Sequence, residues 1–224
     1  MVITIDGPAG TGKSTICVQL GQALGFFQLD TGAMFRALAY HALQKKIPLE
    51  EEPLCQLLQE MQLELRSTKK GMGVFVQNED IGAHIRTPEI GNLASHLGTF
   101  KKVREILLKM QRAYREKYSL ITEGRDMGTV VFPDAELKFF LDADPKVRAN
   151  RRLKDYQEKG EAKSFEDVLD EIIKRDKQDR ERPIAPLKPA EDAILIDTSL
   201  LSFAEVQNEM LKKIKQRFPS LLSK

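Results

Sequence analysis

Residues 2–15 read VITIDGPAGTGKST, and the fold turns on that stretch. Val2, Ile3, Thr4 and Ile5 are all β-branched, the composition of a buried strand. Gly7 is followed by four residues and then by Gly12-Lys13-Ser14, the spacing of a phosphate-binding loop (P-loop) between a strand and a helix. Glycines there let backbone N–H groups converge on phosphate oxygens that a side chain would hold off. The helix opening near Lys13 adds its positive N-terminal end. Gly7, Pro8, Ala9, Gly10, Thr11, Gly12, Lys13, Ser14 and Thr15 are therefore expected around the phosphates of ATP or GTP. Lys13 should reach the β- and γ-phosphates, and the Ser14 hydroxyl should bind Mg²⁺. P-loops serve switches, motors and kinases alike, so the reaction has to be read from the rest of the chain.

Outward from this loop, short apolar runs alternate with helical patterns. VITI, FFQL, LIT, LKFFL and AILI read as buried strands. Helical periodicity falls at 13–24, 31–46, about 100–117, about 145–159, 164–182 and 203–217. Such alternation predicts an α/β fold, a five-stranded parallel sheet flanked by helices with right-handed crossovers. Between about 60 and 96 the rhythm breaks. LELRS and VFVQ, joined by the turn-rich TKKGMG and followed by a turn at NED, read as a small antiparallel insertion. RERPIAPLKPAED, with its three prolines, is a connection back to the last strand. A single domain, 1–224, is expected.

Composition excludes several classes. Lys and Arg number 35 against 33 Asp and Glu, leaving a formal charge of +2, which argues against nucleic-acid binding driven by bulk charge. Tryptophan is absent, so no base-stacking platform stands out. Cys17 and Cys55 read as buried thiols in a reducing compartment, and His41, His84 and His96 form no pair at metal-ligand spacing. No apolar run approaches the roughly 18 residues of a membrane span. The opening MVITIDG goes straight into a strand and leaves no room for a signal peptide. A cytoplasmic protein without membrane or nucleic-acid partners is expected, and a monomer.

The arginines point to a reaction. Phe165, Val168 and Ile172 step three and four apart, one face of a helix, and the same stepping continues to Arg175, Asp179 and Arg182. An apolar stripe thus becomes charged without changing direction. In a parallel sheet, ligands gather at the carboxyl ends of the strands. Those ends carry Asp30-Thr31-Gly32 with Arg36 following, Glu123-Gly124-Arg125-Asp126, and Asp142-Ala143-Asp144-Pro145. Asp144 reads as a helix N-cap. Arg148, Arg151 and Arg152 in the helix after it would, taken alone, be a solvated face. In the helix at 100–117, Val103, Ile106, Leu107 and Met110 form the buried stripe, with Arg104 beside it. So many guanidinium groups suit phosphoryl transfer between two sets of phosphates, because the planar fork grips phosphate oxygens and stays ionised. A phosphate acceptor needs cationic clamps and no base, so a nucleoside monophosphate is favoured. A kinase with another small acceptor and a nucleotide-dependent switch or binding module both stay open at this point.

ITIDGPAGTGKST, LDTGAMFRALA, IRTPEIGNLAS, VREILLKMQR, EGRDMGTVVFPDA, KFFLDAD and KRDKQDRERPIAPL together resemble the bacterial-type cytidylate kinases, in that family's order and over essentially the whole chain. The resemblance implies transfer of the ATP γ-phosphoryl group to CMP or dCMP with Mg²⁺. It also implies a monophosphate-binding part at 31–98 enlarged by the antiparallel insertion, and a helical lid at 148–168. By motif match, Ser95, Arg104 and Asp126 fall on cytosine-recognising positions, and Arg36 and Arg125 on acceptor-phosphate positions, with Thr31 nearby. Asp179 falls on the sugar-contacting position, Arg175 and Arg182 lie beside the transferring group, and Arg151 and Arg152 stand where the family carries lid arginines. Ser14 and Glu123 are the implied metal-site residues. The base chemistry fits: cytosine N4 is a donor that a carboxylate accepts, whereas uracil would set O4 against Asp126. Three positions depart from the family pattern. Thr31 stands where Ser is frequent, Phe35 where Tyr is common, and Glu123 where Asp is common.

Overall fold

The computed structural model describes residues 1–68, 71–158 and 160–222. Lys69 and Lys70, in the expected turn TKKGMG, and Lys159, in the expected lid, lie outside the described residues. Five strands form one parallel sheet: β1 (Val2–Asp6), β2 (Phe27–Asp30), β6 (Leu120–Gly124), β7 (Leu137–Asp142) and β8 (Ile194–Asp197), in the order β2-β6-β1-β7-β8. The β-branched run of β1 is central, pairing Ile3 with Ile121 on one side and with Leu137 on the other. All five of its residues are buried, which is why it lacks the alternation of a half-exposed strand.

Helices cover both faces. α1 (Lys13–Leu24) and α8 (Phe203–Arg217) close one core, in which Ile16, Leu20, Val206, Met210 and Ile214 meet Ile3 and Ile5. The larger core joins α2 (Thr31–Gln44), α3 (Glu51–Glu60), α4 (Pro88–Leu97) and α5 (Lys101–Ala113) through Met34, Leu38, Leu54, Leu97, Val103 and Leu107. α6 (Pro145–Glu158) and α7 (Phe165–Glu181) share a small separate cluster of Ala149, Tyr156, Val168 and Ile172.

The second, antiparallel sheet has the order β3-β4-β5, from β3 (Leu63–Thr68), β4 (Gly71–Val76) and β5 (Glu79–Asp80). It is shorter than the expected insertion. The turn sits at Gln77 and Asn78, both with positive φ (50 and 69), a two-residue hairpin that puts Glu79 opposite Val76. The expected turn at NED is thus partly strand. The last part of the 60–96 region, from Pro88, is the helix α4. Its start was written in the chain: Thr87 caps the Ile90 N–H and Pro88 occupies the first turn. α3, also beyond the periodicities picked out above, buries Leu54, Leu57 and Leu58. α2 stops at Gln44, where Lys46 turns to φ 53, and α5 ends at Ala113 in a 3₁₀ turn over Tyr114–Glu116. α7 begins at its cap Ser164, whose Oγ accepts from the Asp167 N–H at 3.0 Å.

Candidate active site

The carboxyl ends of β1, β2 and β6 open into a cavity of about 480 Å³. The P-loop forms one end of it, through Ala9, Gly10, Lys13 and Ser14. Gly7 has φ 147, and a Cβ there would sit 2.0 Å from the Leu141 carbonyl oxygen, so only glycine fits. Gly12 takes a left-handed conformation immediately before α1. Lys13 folds back to donate to the Pro8 carbonyl at 2.6 Å, and Thr11 donates to the same oxygen at 3.1 Å. Burial and then the neighbouring Arg125 guanidinium push the Lys13 ammonium down to about 7. Gly7, Pro8, Thr11, Gly12 and Thr15 shape the loop without lining the cavity.

Ser14 donates its hydroxyl proton to Glu123 Oε1, and Thr31 Oγ1 donates to the Glu123 carbonyl at 2.9 Å. The longer glutamate, where aspartate is the family's common choice, spans the gap from β6 to the first turn of α1. A hydroxyl and a carboxylate side by side are hard oxygen donors that fit Mg²⁺, an ion satisfied by one or two protein oxygens plus water and phosphate. Among the described residues, no group of three or more His, Cys, Asp or Glu is placed to hold a metal.

In the middle of the cavity four arginines converge: Arg36, Arg125, Arg152 and Arg175. Asp30 positions the first. Its Oδ1 caps α2 by accepting from the Ala33 N–H at 2.8 Å, while its Oδ2 takes Arg36 Nη2 at 2.8 Å. The Nε atoms of Arg36, Arg152 and Arg175 are buried and have no acceptor within the described protein, where buried donors are normally paired. Burial and then Arg125 pull Arg175 down to about 10. An anion lying among these groups would relieve both the missing acceptors and the like-charge repulsion. Arg125 Nε donates to Asp179 Oδ2 at 2.7 Å, and Ser95 Oγ donates to Asp179 Oδ1 at 3.4 Å. Burial raises Asp179, but Arg125, Arg175 and Arg182 outweigh it and hold the carboxyl below its ordinary value.

At the far end Asp126 is 4 % exposed and held by two guanidinium groups. Arg104 Nη2 pairs with its Oδ2, and Arg182 Nη2 donates to its Oδ1 at 3.1 Å. The Phe35 ring lies 5.7 Å from the Arg104 guanidinium carbon, so the residue standing in for tyrosine backs the arginine at this end. After Asp126 comes one turn of π-helix, Met127–Val131, pinned at both ends. Asp6 accepts from the Met127 and Gly128 N–H groups at 2.8 and 2.7 Å, and Arg112 donates to the Val131 and Val130 carbonyls at 2.8 and 2.9 Å. Burial raises the Asp6 carboxyl to about 6, against these two backbone N–H bonds that lower it.

The cavity therefore gathers most of the expected side chains, with three differences. Arg151 turns away, bonding Thr198 through Oγ1 at 3.1 Å and the carbonyl at 2.5 Å. Arg182, expected beside the transferring group, follows the end of α7 as its C-cap and reaches Asp126 and the Ala185 carbonyl. Arg148, expected on a solvated face, is 1 % exposed and paired with Asp176. Asp6 and Arg112 were not singled out from the sequence. Asp30 was placed at its strand end but given no role, although an acidic residue immediately before a helix start is a cap signal.

A family model described as cytidylate kinase matches residues 3–216 of this chain. The cytidylate kinase of Salmonella arizonae is 46 % identical over 217 residues, covering 96 % of both chains. That of Aeromonas hydrophila is 46 % identical over 217 residues, covering 96 % of this chain and 94 % of its own. A crystal structure of an uncharacterized protein from Eubacterium ventriosum superposes with a TM-score of 0.53 at 14 % identity, covering 96 % of this chain and 98 % of that one. At that identity it is a likeness of fold.

Proposed function

The chain belongs to the cytidylate kinase family, and from that premise we propose that it transfers the terminal phosphoryl group of ATP to CMP and dCMP by direct in-line displacement, giving ADP with CDP or dCDP. The observation that carries the reading is Asp126, a buried carboxylate held between Arg104 and Arg182 in the same cavity as the P-loop. Both arginines fix its oxygens, and it accepts from the cytosine N4 amino group. Uracil would oppose it with O4, and a site with buried polar partners rejects such an analogue by up to about 10⁴–10⁵.

In this reading Lys13 and the P-loop N–H groups hold the donor phosphates, and Arg36 and Arg125 hold the acceptor phosphate with Thr31 nearby. Arg152 and Arg175 meet the charge spread over the transferring group, where positioning and cationic stabilisation supply most of the catalysis. Asp179 takes the sugar, and Ser95 and Arg104 the cytosine acceptors O2 and N3. Ser14 and Glu123 would hold Mg²⁺, which when bound supplies positive charge between the donor phosphates. Residues 148–168 act as a lid that excludes water. Its closure would free Arg151 from Thr198 for the phosphates, while Arg182 keeps its hold on Asp126. A cytoplasmic monomer goes with this reading; the two cysteines are buried and free, as suits a reducing compartment.

The test is initial ADP release with Mg²⁺-ATP and each of CMP, dCMP, UMP, AMP and dTMP. A strong preference for the two cytidine nucleotides is expected. Activity with UMP alone would leave a kinase and overturn the role of Asp126. Silence with every acceptor would overturn phosphoryl transfer itself.

A further inference from the structure

Arg148 is the first residue of the segment assigned to the lid, yet it is 1 % exposed. Its guanidinium spends its donors on three different parts of the fold. Nε donates to the Ala143 carbonyl at 2.9 Å, just beyond β7. Nη1 donates to the Ala9 carbonyl of the P-loop at 3.1 Å and to Asp176 Oδ1 at 3.1 Å, and Nη2 donates to Asp176 Oδ2 at 2.6 Å. The P-loop also rests on this side chain: a Cβ added at Gly10 would come within 3.2 Å of the Arg148 Cβ. Asp176 sits on α7 next to Arg175 and one turn before Asp179, both of which line the acceptor part of the cavity.

We propose that Arg148 and Asp176 are a positioning pair that couples the P-loop to the acceptor-binding face of α7, so that filling the donor site and ordering Arg175 and Asp179 are one event. The bidentate fork fixes α7 in rotation and in distance. A shift of the Ala9 carbonyl as phosphate enters the loop moves the guanidinium, and the guanidinium carries Asp176 with it. A buried ion pair contributes little net stability against an apolar pair of the same volume. Its use here is the fixed geometry between two binding surfaces. Coupling of this kind is a reciprocal free energy, commonly worth about 5–150-fold in affinity.

This inference rests on the acceptor assignment above, and the experiment separates the two. CMP binding to the full-length protein is measured calorimetrically with and without Mg²⁺ and a non-hydrolysable ATP analogue, for the wild type, Arg148→Lys and Asp176→Asn. Lysine keeps the charge and loses the fork, and asparagine keeps the shape and loses the charge. The wild type is expected to bind CMP at least fivefold more tightly when the analogue is present. In either variant that ratio should fall toward one and kcat should drop about tenfold, while the affinity for each nucleotide alone stays within about threefold. Melting curves accompany each variant. Should Arg148→Lys fail to fold, Asp176→Asn carries the comparison. A wild-type ratio near one, or variants that keep the wild-type ratio and kcat, would overturn the coupling. So would a parallel fall in both single-nucleotide affinities and in melting temperature, which is what a merely structural pair would give. No CMP binding by the wild type would overturn the functional reading, and the coupling with it.

Discussion

Lys13 is buried beside Arg125 and titrates near 7, so close to neutral pH much of it carries no charge. Phosphates brought against its ammonium would push that value back up. Nucleotide binding should therefore take up a sizeable fraction of a proton between pH 7 and 8, and affinity should fall as pH rises through that window. Calorimetric titration with the ATP analogue in two buffers of different ionisation enthalpy reads this directly. The observed heat should depend on the buffer for the wild type and much less for Lys13→Met. Buffer-independent heat in the wild type would refute it. The lysine itself was plain in the sequence because the loop is contiguous. Contacts across the fold were not: Glu123, expected beside Ser14 only through the family resemblance, lies 109 residues from it and shares a hydrogen bond with it. Asp6 reaches Met127 across 121 residues. Pairs of that kind are made by strand order, which local spacing does not encode.

α7 shows how one helix serves two purposes. Val168 and Ile172 are buried against α6, and further along the same rod Arg175 and Asp179 line the cavity. The three-four stepping that made the charged stripe visible held for both of those residues, but it passed over Asp176, one position off the stripe, which faces Arg148. Arg182 left the stripe because the helix ends at Glu181. α4 was missed in a different way. A strong cap was present, but it lay inside a stretch whose neighbouring hairpin set the expectation. The π-turn at Met127–Val131 lines the cavity through Met127, Val130 and Val131 and is itself held from α5. Arg112, near the end of α5, holds the Val130 and Val131 carbonyls, and the turn in turn sets Asp126. Hydrogen bonds to a charged group are worth about 1.5–3 kcal/mol each. Arg112→Met is therefore expected to raise KM for CMP by roughly tenfold, because about 1.4 kcal/mol of ligand-site order is lost per decade, with kcat changed far less. Steady-state kinetics with CMP varied at saturating ATP decides it. A fall in kcat at constant KM would move Arg112 out of base positioning.

At the scale of the whole molecule, the sheet carries two unequal cores, while α6 and α7 are packed mainly on one another through Ala149, Tyr156, Val168 and Ile172. A cluster that small opens at much lower free-energy cost than the sheet, since local stability follows the apolar surface a unit buries. Arg148 ties this helix pair to the P-loop, donating through Nη1 to the Ala9 carbonyl while it pairs with Asp176 across the two helices, and the cavity the pair borders is lined by arginines. In the unliganded protein, then, amides of residues 149–158 and 165–172 should exchange well before those of β1, β6 and β7. Mg²⁺ with the ATP analogue should slow them in part, and adding CMP should slow them further, because on the proposed reading the second nucleotide completes the pair of phosphates between which Arg152 and Arg175 stand. β1 and β6 should respond little, being already protected at the level of global unfolding. Hydrogen–deuterium exchange with each nucleotide alone and with both together measures all of this in one series. If the α6–α7 pair were as protected as β1 without ligand, the site would be preformed and its closure would have no part in the reaction. If the two nucleotides slowed exchange in β1 as much as in α6, they would be stabilising the fold as a whole and leaving the separate packing of the α6–α7 pair without consequence.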